Sequence, residues 1–122
     1  MAKHLKNYRE TGEAVILYAD NYINDIEGEK LEDLCEVFIR KGIKKIIIDF
    51  TATDLINSIG VSILIGILEK IRDRNGVLLF SGLKKVNHDI FRLVGLTKHI
   101  PVYNTDEEAV RELKAMAAGF MM

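Results

Sequence analysis

The chain has 122 residues, 48% hydrophobic and 29% charged, with 17 basic against 18 acidic side chains and a net charge of -1. That composition suits one globular domain over residues 1–122 with a proper core, and it excludes a disordered chain. A balance so near zero gives no footing for nucleic acid or an anionic membrane, and the longest near-apolar run, residues 59–68, is shorter than the ~20 residues that span a bilayer.

Residues 13–19 are short, apolar and β-prone and predict a strand, with another near His4 to Tyr8 in front of it. A polar loop, residues 20–25, follows. From Glu27 to Arg40, Leu31, Leu34, Cys35 and Phe38 recur at helical spacing with Glu29, Glu32 and Asp33 opposite, and Gly42 stops that helix. Residues 44–50 form a β-branched run ending in Asp49 and Phe50, and residues 77–82 have the same character; both predict buried strands. Between them a helix from Ser58 to Arg74 turns Ile63, Leu64, Ile67, Leu68 and Ile71 inward and stops at Asn75 and Gly76. Residues 85–95 predict a short helix with Val86, Ile90, Leu93 and Val94 inward. Residues 99–103 predict an edge strand, because Pro101 cannot donate to a central ladder. Thr105 and Glu108 form a capping-box pattern ahead of a last helix with Ala109, Val110, Leu113 and Met116 on its apolar stripe.

Strands and helices therefore alternate. The fold class is α/β with parallel pairings, a small mixed sheet of four to five strands and about four helices packed against it. In such sheets, sites lie past the carboxyl ends of the strands. The loops at residues 20–25, 51–57 and 81–85 should gather there.

Little in the chain carries catalytic chemistry. His4, His88 and His99 stand in separate segments without metal-ligand spacing to Cys35, the single cysteine. Cys35 falls on an apolar helix stripe and reads as a buried hydrophobe in a chain from a reducing compartment. Neither G-x-G-x-x-G nor G-x-x-x-x-G-K-[ST] occurs, so no cofactor is expected. Ser58 lacks a G-x-S-x-G context. Asp20, Asp25, Asp49 and Asp54 lie near strand ends, where carboxylates ordinarily serve as turn formers and caps. The residues 1–15 contain no apolar signal core, and a non-enzymatic cytoplasmic protein is expected.

One stretch stands out. In "LINSIGVSILIG", residues 55–66, an Asn–Ser pair and Gly60 open an otherwise apolar run. Two readings of Ser58 stay open on the residues alone. Its hydroxyl caps the helix by accepting a first-turn N–H, or it is displayed for modification, where the helix N-terminus favours an added phosphate.

The segment "IIIDFTATDLINSIGVSILIGI" and the later "NGVLLFSGLKKVNHDIFRLVGLTKHIPVYNTDEEAV" carry a family resemblance. The first resembles a buried strand ending in Asp followed by the D-S-x-G-[LV] motif of STAS domains, within them the bacterial anti-sigma factor antagonists. The second is similar to the C-terminal half of that family, and the likeness covers residues 13–113. It implies a module whose motif serine, here Ser58, is phosphorylated by a partner that is both anti-sigma factor and GHKL-type serine kinase. The unphosphorylated module binds that partner and frees the sigma factor. It also implies a partner surface of Asn21, Asn24, Asn57, Ser58, Ile59, Gly60, Ser62 and Leu83, on a monomer or weak dimer. The chain departs from the motif at Asn57 and Asn24, which replace acids, at Asn21, which replaces a glycine, and at Ile59, where Ser or Thr is common. The runner-up is a STAS scaffold or transporter-complex subunit in which Ser58 is only a helix cap; a small-ligand-binding STAS module is a third.

Overall fold

The computed structural model describes the backbone of residues 7–121 and the side chains of residues 7–116. Strands β1 (Tyr8–Thr11), β2 (Ala14–Tyr18), β4 (Lys45–Asp49), β6 (Val77–Ser81) and β7 (Val102–Tyr103) build one sheet in the order β1-β2-β4-β6-β7. The β1–β2 pair is antiparallel and the others are parallel. Strands β3 (Tyr22–Ile23) and β5 (Leu55–Ile56) form a second, two-stranded parallel sheet. Helices α1 (Asp25–Arg40), α2 (Ser58–Asp73) and α3 (Lys85–Leu93) follow β3, β5 and β6, and α4 (Asp106–Met121) follows β7.

The apolar pattern of the central strands explains the layering. Val15, Leu17, Ile46, Ile48, Leu78 and Phe80 share the core with α1, α2 and α3, while Ile16, Ile47 and Leu79 share a smaller cluster with Ala109 and Leu113 of α4. Alternate residues along a strand face opposite sides, so one sheet carries three helices on one face and one on the other. With both faces covered, the strands read as continuous apolar runs. On α2, Leu64, Ile67, Leu68 and Ile71 are buried as expected, whereas Ile63 is half-buried and packs against α1. That packing explains Gly28: a Cβ there would stand 2.8 Å from Ile63 Cδ1.

Several expectations shift. The strand expected near His4 to Tyr8 begins at Tyr8 and runs to Thr11; positions 4–6 lie outside the described residues. The edge strand of residues 99–103 shrinks to Val102–Tyr103, after a 3₁₀ turn at Leu96–Lys98. Met116 is 41% exposed. In the capping box of α4, Thr105 Oγ1 accepts from Glu108 N at 3.1 Å, and Glu108 reaches back to Asn104 N at 2.8 Å.

The largest correction concerns α3. Val86, Leu93 and Val94 were expected inward but are 52%, 86% and 53% exposed; the fully buried positions are Asn87 and Phe91. Phe91 enters a cluster with Phe50 and Phe80, at ring-centroid distances of 5.9 and 5.4 Å, and anchors the helix by that one line. Asn87 lies one turn before it and donates through Nδ2 to Thr53 O at 3.3 Å. A polar residue on the buried line moves the apparent apolar stripe one residue to the side.

Candidate functional site

The three strand-end loops do converge, and backbone hydrogen bonds join them. Asn21 O accepts from Asp54 N at 2.7 Å and Leu55 N at 3.3 Å, and Ile23 O accepts from Asn57 N at 3.0 Å. Thr53 is buried and donates through Oγ1 to Asp20 O at 2.6 Å. The third loop joins through Lys84, whose ammonium pairs with Asp54. Underneath, the buried Asp49 accepts from Thr51 N at 3.0 Å with Oδ1 and from Ser81 Oγ at 2.7 Å with Oδ2. Both oxygens of that carboxylate are thus engaged within the fold. Among the described residues, no group of three or more His, Cys, Asp or Glu could hold a metal ion.

The N-cap of α2 is Asn57, not Ser58. Asn57 is extended, at φ -84° and ψ 175°, and its Oδ1 accepts from Gly60 N at 2.8 Å. Its Nδ2 donates to the Tyr22 hydroxyl at 3.2 Å, tying the β3 loop to the helix start. The reading of Ser58 as a cap is therefore corrected: Asn and Ser are both strong caps, and here the amide one residue earlier holds the position. Ser58 is the first helical residue and is exposed. The helical ladder begins with Val61 N donating to Asn57 O, so the N–H groups of Ser58 and Ile59 precede it. The first turn of α2 contains no acidic residue.

Gly60 is buried because β3 passes over it. A Cβ at this position would stand 2.5 Å from Ile23 O and 3.1 Å from Ile23 Cγ2. Asn24 is the cap of α1, accepting from Glu27 N at 3.0 Å. Thus both amides that stand in place of acids, Asn24 and Asn57, are helix caps. Asn21 and Ser62 are exposed, the latter one turn beyond Ser58, and Leu83 is half-buried against the core. Ile59 is 52% exposed.

The sequence reading passed over Tyr22, Ile26 and Leu55. All three are exposed apolar residues at this end of the molecule. Tyr22 and Leu55 are register partners across β3 and β5, and Ile26 lies in the first turn of α1. Large apolar residues inside segments otherwise read as polar loops were the available signal. Tyr22, tied to Asn57, its register partner Leu55 and Ile59 set exposed apolar surface beside Ser58, of the kind that marks a protein contact. Cys35 lies away from this end on the buried side of α1, where burial and then the nearby Glu32 push its thiol up to about 12. Such a thiol is protonated at neutral pH and unsuited to nucleophilic work.

Among the described residues, no helix is long and apolar enough to cross a membrane. Comparison with known proteins places this geometry. BtrV of Bordetella bronchiseptica, which carries the name of an anti-sigma factor antagonist, is 26% identical over 92 residues, 75% of this chain and 79% of its own. The Thermotoga maritima protein TM1081, also named for that role, superposes with a TM-score of 0.78 at 21% identity over 91% of this chain and 96% of its own. The phosphorylated form of the Bacillus cell fate determinant SpoIIAA gives 0.70 at 19% identity, over 87% and 96%. A family model described as the STAS domain matches residues 6–109, and the chain belongs to the STAS domain family.

Proposed function

We propose that this protein is an anti-sigma factor antagonist, a binding module and not an enzyme, switched by phosphorylation at Ser58. Its partner is an anti-sigma factor that is also a GHKL-type serine kinase. The observation that carries the reading is the setting of Ser58: an exposed hydroxyl at the first position of α2, flanked by exposed Tyr22, Leu55 and Ile59. The names carried by BtrV and TM1081 support the same role. The unmodified surface offers apolar area and amides to the partner.

A phosphate on Ser58 adds roughly -1.5 to -2 charge at neutral pH. It falls beside two N–H groups that precede the helical ladder, at the positive end of the helix dipole, with no acid in the first turn to repel it. The fold therefore carries the modification with little change. The partner meets an unpaired charge in a fitted, partly desolvated contact and is released. Asn21, Asn24, Asn57, Ile59, Gly60, Ser62 and Leu83 shape or support that contact.

The test is incubation with the cognate kinase and ATP, followed by mapping of the site by mass spectrometry. Ser58→Ala should fold, bind the partner and resist modification; Ser58→Asp should bind more weakly. Modification at another residue, or none, sinks the proposal.

A further inference from the structure

Helix α3 is fastened to the rest of the molecule by few groups. Its first turn is uncapped: Lys84 stands at the N-cap position without a side-chain bond to the helix, no acid follows in that turn, and Lys85 puts a cation at the positive end of the dipole. Its charged side chains answer one another, Asp89 pairing with Lys85 at 2.8 Å and with Arg92 at 3.3 Å. Those pairs hold the helix to itself and not to the body. Val86 and Leu93 stand in solvent, so burial anchors α3 chiefly through Phe91. On the same buried line, Asn87 works against docking. It is fully buried, its one bond is the 3.3 Å donation to Thr53 O, and its Oδ1 has no partner in the protein. A buried acceptor left unpaired destabilises the closed state, whereas water satisfies it in an open one. Glycines with left-handed backbone flank the helix, Gly82 at φ 70° and Gly95 at φ 86°.

The polar ties of α3 converge on one loop. Among the described residues, the polar side chains of the helix and its cap reach the body at two neighbouring places, Thr53 O from Asn87 and Asp54 from Lys84. Both belong to the loop between β4 and β5, which leads through Leu55 and Ile56 to Asn57 and Ser58. That loop is joined in turn to the one after β2, by Thr53 Oγ1 to Asp20 O and by Asp54 N to Asn21 O.

We propose that α3 opens as a unit between Gly82 and Gly95 while the rest of the fold stays closed, and that this opening is coupled to the loop leading to Ser58. Few buried apolar anchors are the mark of a segment that opens locally. A nine-residue helix without a cap does not persist alone, so opening frees its amides to solvent. Helices α1 and α2 keep their own packing on the sheet meanwhile. Coupling is reciprocal: whatever grips residues 51–57 holds α3 shut, and whatever opens α3 loosens that loop. The device stands whether or not Ser58 is modified, and it gives a contact at the Ser58 surface a second place where its effect is felt.

The test is native-state hydrogen exchange on the full chain, followed by NMR at rising, sub-denaturing urea. The amides of residues 88–93 should exchange with one shared opening free energy, about ten times faster or more than those of residues 64–68 in α2, and with little dependence on urea. Asp54→Ala lies outside α3 at a largely exposed side chain. It should speed the α3 amides about twofold or more, the scale of an exposed ion pair, while the melting temperature and the exchange of α2 stay as in wild type. Lys84→Met should do the same, and the double variant no more than either alone. Exchange of residues 88–93 only together with the whole fold and with its full urea dependence overturns the proposal. So do protection graded from the helix ends instead of shared, α3 amides untouched by Asp54→Ala, or additive effects in the double variant.

Discussion

Two glycines of α2 should respond to the same substitution with opposite signs. Gly66 lies in the helix interior, and a Cβ there meets only Glu32 Oε2, at 3.8 Å, an ordinary contact at the end of a flexible side chain. Gly66→Ala should therefore gain stability by up to about 1 kcal/mol, the difference in helix propensity and unfolded-state freedom. Gly60 differs because the obstacle is backbone. Its Cβ would stand 2.5 Å from Ile23 O, so β3 must retreat. That movement strains the Asn57 N to Ile23 O bond of 3.0 Å and the Ile23–Ile56 pairing. Overpacking of this kind costs roughly 1–3 kcal/mol and a weakened hydrogen bond about 0.5–1.5. Against this stands a propensity gain of at most about 1 kcal/mol. The net expectation for Gly60→Ala is a loss of about 1–3 kcal/mol. Urea unfolding with a common m-value compares the two variants with wild type. If Gly60→Ala stabilises the protein as Gly66→Ala does, the close passage of β3 over α2 is not what fixes the glycine.

Other expectations concern the core. Ile67 is fully buried on the sheet side of α2, and Ile67→Ala should lower the unfolding free energy by about 2–5 kcal/mol in the same assay; a loss under about 1 kcal/mol removes it from the core. Cys35 is buried, with its thiol held up to about 12, so alkylation by iodoacetamide at pH 8 should be far slower in the native protein than in urea, and equal rates would refute its burial.

How much of this was legible depends on length and polarity. Strands β2, β4 and β6 declared themselves because both faces are buried and three to five apolar residues run together. Strands β3 and β5 did not, because two residues each carry no period. The convergence of the three loops followed from the alternation of elements alone. The orientation of α3 was misread for one physical reason: Asn87 occupies a buried position that an apolar pattern passes over. The cap of α2 was misassigned because Asn57 and Ser58 are equally suited by residue type, and only the extended backbone of Asn57 decides between them.

Asn57 also accounts for its own departure from an acid. As a helix cap, Asp serves about as well as Asn and adds a favourable charge at the dipole, so capping alone does not select the amide. What Asn adds is a pair of N–H donors on Nδ2. Its Oδ1 caps Gly60 while its Nδ2 donates to Tyr22; a carboxylate has no N–H to give, although the Tyr22 hydroxyl could turn and donate to it. The amide also leaves the position beside Ser58 neutral, so a phosphoserine there meets no adjacent negative charge. Asn57→Asp should therefore keep the fold, with stability within about 1 kcal/mol of wild type. The double phosphate charge next to a carboxylate should then make the phosphorylated variant less stable than phosphorylated wild type, and the difference should shrink as salt is raised. Thermal unfolding of the four species, each at low and high ionic strength, reads both effects. Should the phosphorylated pair melt together at low salt, the neutrality of Asn57 has no bearing on how α2 carries a phosphate.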